Sequence, residues 1–381
     1  MDADLPLQNS RSQKNATVRH LYVHIPFCAR ICPYCAFYKT RPDPSQTQTF
    51  CEAVLRELER YLTDFDVAPT TIFFGGGTPT SLAITQLQFL LGGFRDRLDL
   101  SQLVEWTIEA NPGSVSERKA AVLKNFGVNR ISLGVQSWDD GLLNVLGREH
   151  NALQAEESFR SLRNSGFTNV NVDLMFGLPG QTVEQWCTTL KQTIALEPEH
   201  ISTYCLTYEE DTEFFLRHSR GELRSDSDQE ADFFLQSMST LQDARYQHYE
   251  ISNYARQNYS SAHNRAYWSG ADYLGIGPSA FSTVGLKRWQ DVPDYRAYSQ
   301  RVLSGESAIS SIEELTRDIK RGEQIALGLR TSSGVPTAML EHFRVETEEF
   351  LSLGLLERRN GSFVLTHKGK SVADSVAEAF I

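Results

Sequence analysis

His20-Leu-Tyr-Val-His-Ile-Pro-Phe-Cys-Ala-Arg-Ile-Cys-Pro-Tyr-Cys35 runs from an apolar, strand-like segment straight into three cysteines spaced C-x3-C-x2-C. Three thiolates can bind three irons of a cubane iron–sulfur cluster and leave the fourth iron open to a small-molecule ligand. Such clusters usually take four cysteines, so a tight group of three with no fourth nearby reads as a site built for exchange rather than electron storage. A zinc site would want a fourth Cys or His close by and more often uses paired C-x2-C knuckles. His24 is the nearest candidate, but it lies back on the strand, beyond Pro26, and reads as a structural hydrogen-bonding residue. A disulfide is disfavoured by the acidic balance, the polar N-terminus without an apolar secretory segment, and the scatter of the other cysteines, Cys51, Cys187 and Cys205. Those three are expected to be ordinary core or helix residues.

Downstream segments place polar groups where apolar strands would not need them. Thr71 to Phe74 reads as a strand running into Phe73-Phe-Gly-Gly-Gly-Thr-Pro79, whose glycines have no Cβ to keep a ligand off the backbone. Such a loop can offer bare amide and carbonyl groups to an amino acid. Glu105-Trp-Thr-Ile-Glu-Ala-Asn-Pro112 carries Glu109 at its end, Ile131-Ser-Leu-Gly-Val-Gln136 ends in Gln136, and Val170-Asn-Val-Asp173 brings Asp173 just before Leu174-Met-Phe-Gly-Leu-Pro179. Singly, each reads as a helix cap or turn former. Together they recur near the carboxyl ends of successive strands, where parallel α/β barrels keep their active sites.

Strand-like runs near residues 20–27, 70–76, 105–111, 130–137, 169–177 and 200–208 alternate with amphipathic stretches such as Phe50-Cys-Glu-Ala-Val-Leu-Arg-Glu-Leu58, and strand–helix alternation implies a parallel sheet. Six such units predict an α/β fold, a partial (β/α)6 barrel of the triosephosphate isomerase type; after Tyr208 the repeating unit is lost. From about Glu313 the sequence turns helical, breaks at Ser332-Ser-Gly-Val-Pro336, then reads as helix, hairpin (Gly361-Ser-Phe-Val-Leu-Thr366) and a closing helix from Lys368, a small α+β module like a winged helix. The expected division is a polar, flexible tail over 1–16, the barrel with its extension over 17–310, and the winged-helix-like module over 311–381. A formal net charge of -11 gives no general attraction to phosphate, so nucleic acid is not an expected partner. No apolar stretch approaches the ~20 residues needed to span a bilayer. That points to a cytoplasmic protein with at most peripheral membrane contact; monomer and homodimer are both compatible with the sequence.

One motif remains outside this pattern. His263-Asn-Arg-Ala-Tyr-Trp268 sets a histidine before two aromatics in a polar connection running on to Tyr273-Leu-Gly-Ile-Gly-Pro-Ser-Ala-Phe281. An imidazole can be an axial ligand of heme iron, and tyrosine and tryptophan can stack on a macrocycle. Equally, His263 can cap a helix while Tyr267 and Trp268 anchor the loop in the core.

The cysteine spacing, with Tyr22, Pro33 and Tyr34 around it and the glycine triplet on the next strand, resembles the signature of the radical S-adenosylmethionine superfamily. With Cys-Pro-Tyr-Cys at 32–35 and the HNxxYW segment, the chain is similar from Leu21 to its end to the HemW family of heme chaperones, relatives of the oxygen-independent coproporphyrinogen III oxidases. The resemblance implies a 4Fe-4S cluster on Cys28, Cys32 and Cys35. It implies S-adenosylmethionine held by Tyr22, Tyr34, Gly76, Gly77, Thr78, Glu109, Gln136, Arg148 in Leu146-Gly-Arg-Glu-His150, and Asp173. It also implies heme near His263, Tyr267 and Trp268, and transfer of heme to acceptor proteins such as respiratory enzymes. Cleavage of S-adenosylmethionine is compatible with it. The competing reading is the oxidase itself, which the resemblance disfavours: oxidases carry a further cysteine two residues after the third, where this chain has Phe37. The residue after the third cysteine, commonly Asp in the chaperones, is Ala36 here.

Overall fold

The computed structural model of the chain describes residues 17–381; the tail expected over 1–16 lies outside them. In β1 (Thr17–Ile25) Leu21, Val23 and Ile25 are fully buried on one face, and the alternation turns Tyr22 and His24 to the other. α1 (Pro44–Asp64) follows the cysteine loop. Its start is fixed by the Asp43 carboxylate, which accepts the Ser45 amide, and by Pro44 at the first helical position. Phe50, Val54 and Leu58, four residues apart, form the buried stripe of this helix.

The unit then repeats. β2 (Asp66–Gly76) is followed by α2 (Ile84–Arg97), β3 (Glu105–Ala110) by α3 (Glu117–Asn125), and β4 (Arg130–Gln136) by α4 (Asp140–Val145) and α5 (Ala152–Asn164). β5 (Val170–Phe176) is followed by α6 (Val183–Ala195), and β6 (His200–Cys205) by α7 (Glu213–Ser219) and α8 (Ser227–Asp243). β1 to β6 are parallel and paired in sequence order. Asp173 lies in the middle of β5, not at its end, because the strand continues through Leu174, Met175 and Phe176.

Beyond the six units the sheet gains short edges. β7 (Gln247–Glu250) and β8 (Asn253–Ala255) form an antiparallel hairpin on β6, α9 (Ala262–Trp268) follows, and β9 (Leu274–Ile276) pairs in parallel with β1. The result is a nine-stranded sheet in the order β7-β8-β6-β5-β4-β3-β2-β1-β9, whose two edges do not pair with each other, so the barrel stays open. β10 (Phe281–Val284), β11 (Lys287–Asp291) and β12 (Ile309–Glu314) form a separate antiparallel sheet, with α10 (Tyr295–Leu303) between β11 and β12 and packed on α1.

β12 runs across position 311, where the C-terminal module was expected to begin, and Glu313 and Glu314 are strand, paired with Arg288 and Lys287. Helix starts only at α11 (Arg317–Leu329), where Thr316 Oγ1 accepts the Ile319 amide at 3.1 Å. β13 (Val335–Pro336), α12 (Arg344–Ser352), the hairpin of β14 (Leu356–Arg359) and β15 (Ser362–Leu365), α13 (His367–Lys370) and α14 (Ala373–Glu378) complete the chain. These elements enclose a second core, including Ile325, Leu329, Phe363, Leu365 and Phe380, and Ile251 at the β7–β8 turn packs against both cores.

Candidate functional site

A cavity of about 660 Å³ lies on the concave side of the sheet, with side chains from β2 to β6 in its wall and the cysteine loop at one end. The loop is pinned at its base: Cys28 N–H donates to Thr40 O (2.9 Å) and Thr40 N–H to Pro26 O (2.8 Å). Cys28, Cys32 and Cys35 are half-buried and all line the cavity. Among the described residues no three Cys, His, Asp or Glu side chains converge on a point as ligands of a single ion would. Cys28 Sγ lies 3.6 Å from Thr78 Oγ1 and Cys32 Sγ 3.6 Å from Arg148 Nη1, so donors already face two of the three sulfurs. Burial pushes the Cys28 thiol up to about 11 and also raises Cys35; loading metal must therefore displace protons. His24 is committed elsewhere. Its Nε2 bonds Tyr38 O (2.8 Å), its Nδ1 meets Tyr22 Oη (3.1 Å), and burial pushes it down to about 4, keeping the ring neutral.

The glycine loop fits tightly onto the end of β1. Gly76 has φ +97°, and a Cβ there would come within 2.4 Å of the His24 ring; one on Gly77 would come within 2.7 Å of Ile25 O. The amides expected to be free for a ligand are taken by the fold. Gly76 N–H donates to Glu109 Oε2 (3.1 Å), Gly77 N–H to Ile25 O (2.9 Å) and Thr78 N–H to Phe27 O (2.8 Å). What the loop gives the cavity is close approach, and Gly76, Gly77 and Thr78 all line it.

Glu109 faces the cavity from β3 with the Gly76 amide as the one hydrogen-bond donor on its carboxylate, and among the described residues no cation pairs with it. Burial, reinforced by the Asp173 charge, pushes its carboxyl up to about 8. A ligand carrying positive charge would reverse that shift, and the sulfonium and ammonium of S-adenosylmethionine are of that kind. Arg148 is half-buried and bonded internally: Nη2 donates to Asn111 Oδ1 (2.6 Å) and Gly134 O (2.7 Å), and Asn111 Nδ2 donates on to Thr78 Oγ1 (2.8 Å). These bonds thus tie the glycine loop to β4 and to the loop between α4 and α5. Gln136 ends β4 with φ +68° and lines the cavity, as do Tyr34 and Asp173. Asp173 accepts from Ser132 Oγ (2.9 Å) and Asn171 Nδ2 (2.8 Å), and burial raises its pKa. Tyr22 is not among the lining residues; it stacks behind Phe73 at 6.2 Å.

Several cavity residues were not singled out from sequence: Asn111, Arg130, Ser132, Asn171, Ser202 and Tyr204. The signal existed, since polar side chains recur at every second position of β4, β5 and β6 (130 and 132, 171 and 173, 202 and 204), the period of one strand face. Cys205, expected to be an ordinary core or helix residue, lines the cavity at the end of β6, whereas Cys51 is buried in α1 as expected.

The HNRAYW segment is α9, placed against the beginnings of the strands rather than at the mouth. The Glu105 carboxylate accepts Ser261 Oγ (3.0 Å), Ala262 N–H (2.7 Å) and His263 N–H (3.1 Å). His263 stacks on Phe73 at 5.1 Å, its Nδ1 meets Thr71 Oγ1 at 2.9 Å, and burial pushes it down to about 3. Asn264 alone of this helix reaches the cavity. Tyr267 is 46% exposed, and Trp268 lies 5.0 Å beneath the Arg330 guanidinium of the C-terminal module. The cysteine and S-adenosylmethionine residues, Tyr22 apart, are therefore brought to one cavity, while His263, Tyr267 and Trp268 sit below and outside it.

A model of the Radical SAM superfamily matches residues 22–193. Heme chaperone HemW of Lactococcus lactis is 35% identical over 94% of this chain and 96% of its own length, and that of Escherichia coli 34% identical over 95% and 97%. Among solved structures, coproporphyrinogen III oxidase (HemN) from Escherichia coli, a radical SAM enzyme, superposes with a TM-score of 0.82 at 24% identity, covering 95% of this chain and 90% of that one. At that identity the likeness is one of fold. Among the described residues no helix is long and apolar enough to cross a membrane.

Proposed function

The chain belongs to the HemW family, within the radical SAM superfamily, and from that premise we propose that it binds heme for transfer to acceptor proteins and carries a 4Fe-4S cluster with S-adenosylmethionine at its open iron. The observation that carries the reading is the cavity itself, which three half-buried thiols and the uncompensated Glu109 carboxylate line together. Cys28, Cys32 and Cys35 would hold the cluster, which when bound supplies the electron that splits the sulfonium. Glu109, with Gly76 holding its carboxylate, would pair with the positively charged methionine end. Arg148 and Asn111 brace the wall beside Cys32, and Gln136, Tyr34 and Asp173 supply polar groups for the remainder of the molecule. The glycine loop admits the ligand backbone-close and excludes water there.

Heme is proposed to bind at α9. As the helix stands, Tyr267 offers an exposed ring for a macrocycle, and burial keeps His263 neutral, the form in which imidazole binds iron. His263 is stacked and hydrogen-bonded, so iron would reach it only with α9 displaced from the sheet. The proposed protein is cytoplasmic and acts as monomer or homodimer, with peripheral membrane contact where an acceptor is membrane-bound. The test is an absorbance titration of heme into the anaerobically reconstituted protein and its Tyr267→Ala and His263→Ala variants. Saturation near one heme per chain, weakened in the variants, is expected. No specific binding by the wild type, or conversion of coproporphyrinogen III by the reduced protein with S-adenosylmethionine, would overturn the reading.

A further inference from the structure

Two arginines from the β4 unit line the cavity, and only one is satisfied. Arg148 makes three contacts, whereas Arg130, 2% exposed at the start of β4, has one hydrogen bond on its guanidinium, Nη1 to Asn169 Oδ1 at 3.1 Å. Its Nε is buried with no partner, and the side chain lines the cavity. Arginine is charged at any pH a protein survives, and a buried charge without a paired anion is strongly unfavourable. The carboxylates on the flanking strands are already engaged. Glu105 on β3 accepts three donors at the start of α9, and Asp173 on β5 is bonded by Ser132 and Asn171. Among the described residues no carboxylate comes within ion-pair distance of Arg130; Asp173 is near enough only for the Arg130 charge to offset part of the upward push of burial on its carboxyl. One cavity neighbour is suited to a ligand as well: Asn264 offers a side-chain amide.

We propose that Arg130 is an anion-recognition residue, and that the floor of the cavity, below Glu109 and above α9, is a subsite for the carboxylate of a bound ligand. A guanidinium presents a planar fork that matches a carboxylate with two parallel hydrogen bonds. The ligand of the proposed function that carries that group away from the cluster is heme, through a propionate, because the methionine end of S-adenosylmethionine belongs at the open iron. The inference rests on the proposed function.

The test compares heme with heme dimethyl ester, which lacks the carboxylate charges, in the reconstituted wild type and in Arg130→Gln and Arg130→Lys. Arg130→Gln is expected to weaken heme by roughly 10- to 100-fold while the ester binds as before. Arg130→Lys keeps the charge without the fork and is expected to weaken heme by a few fold, which serves if the Gln variant does not fold. A variant that folds and leaves the heme-to-ester ratio unchanged would overturn the proposal. Wild-type protein that binds no heme would overturn the heme-binding reading and this inference with it, a result distinct from wild-type binding that is indifferent to Arg130.

Discussion

Glu109 makes the cavity sensitive to pH. Its carboxyl is pushed from an ordinary 4.5 up to about 8, so over that window the folded chain holds a proton that the unfolded chain has released. The stabilisation from this group is full below 4.5, falls by up to about 1.4 kcal/mol per pH unit above it, and is gone beyond 8. Glu109→Gln is therefore expected to flatten the loss of stability of the cluster-free protein between pH 5 and 8 and, in the reconstituted protein, to abolish tight S-adenosylmethionine binding; identical urea midpoints for the two cluster-free proteins across that range would refute the first. Gly77 is a second decisive position. Because an added methyl would press on the backbone of Ile25 and Pro26, Gly77→Ala is expected to cost about 2 kcal/mol or more, read from the urea midpoint. At this scale the sequence was most legible where the chemistry is unusual: clustered cysteines, a glycine triplet, an acid at a strand end. Arg130, Ser132 and Asn171 were missed because a polar residue on one strand face reads the same whether it meets a ligand, a neighbour or water. Even for the glycines only the location was readable, not that their amides would be used internally.

At the scale of elements, α9 depends on one side chain from a strand far away in sequence. Glu105 closes the helix start through Ser261 Oγ and two amides, satisfying donors that every helix leaves open there. Glu105→Ala is expected to destabilise the protein by about 2–4 kcal/mol and to speed amide exchange over residues 261–270 more than in β1 to β6. Uniform exchange across the sheet and α9 would show that the helix is not held by this contact. The six parallel strands were legible because each is a short apolar run between amphipathic helices, a pattern that local sequence sets. β12 was not, since Ile309-Ser-Ser-Ile-Glu-Glu314 has five of its six residues exposed and owes its conformation to pairing with β11. The place of α9 was equally hidden: its residues suggested a helix cap or a heme ligand, but which strands would receive it is a tertiary fact.

The whole molecule is joined through the β7–β8 turn. Ile251 packs into both cores, its amide donates to Arg330 O (3.0 Å), the Ser332 amide donates to Tyr249 O (2.9 Å), and Lys370 Nζ reaches His248 Nδ1 (3.1 Å). With so much of its support shared, the chain is expected to melt in one calorimetric transition, and Ile251→Ala to lower the stability of that transition by about 1–3 kcal/mol; two separate transitions in the wild type would contradict the coupling. The winged-helix-like order of the last elements was visible in sequence, but this seam was not, because its partners lie some eighty to one hundred and twenty positions apart. The position of α9 also has a consequence for how the protein is made. The six parallel strands that carry the site are complete by Cys205, yet the segment beneath them, Glu105's partner, arrives only at residues 261–263. At 5–20 residues per second that gap of about sixty residues lasts roughly 3–12 s, during which a nascent chain emerging from the ribosome has its cysteine loop but no underside. Iron and sulfur delivered in that interval would meet a passage wet from both ends, so loading of the site is expected to follow, and not precede, release of the C-terminal half.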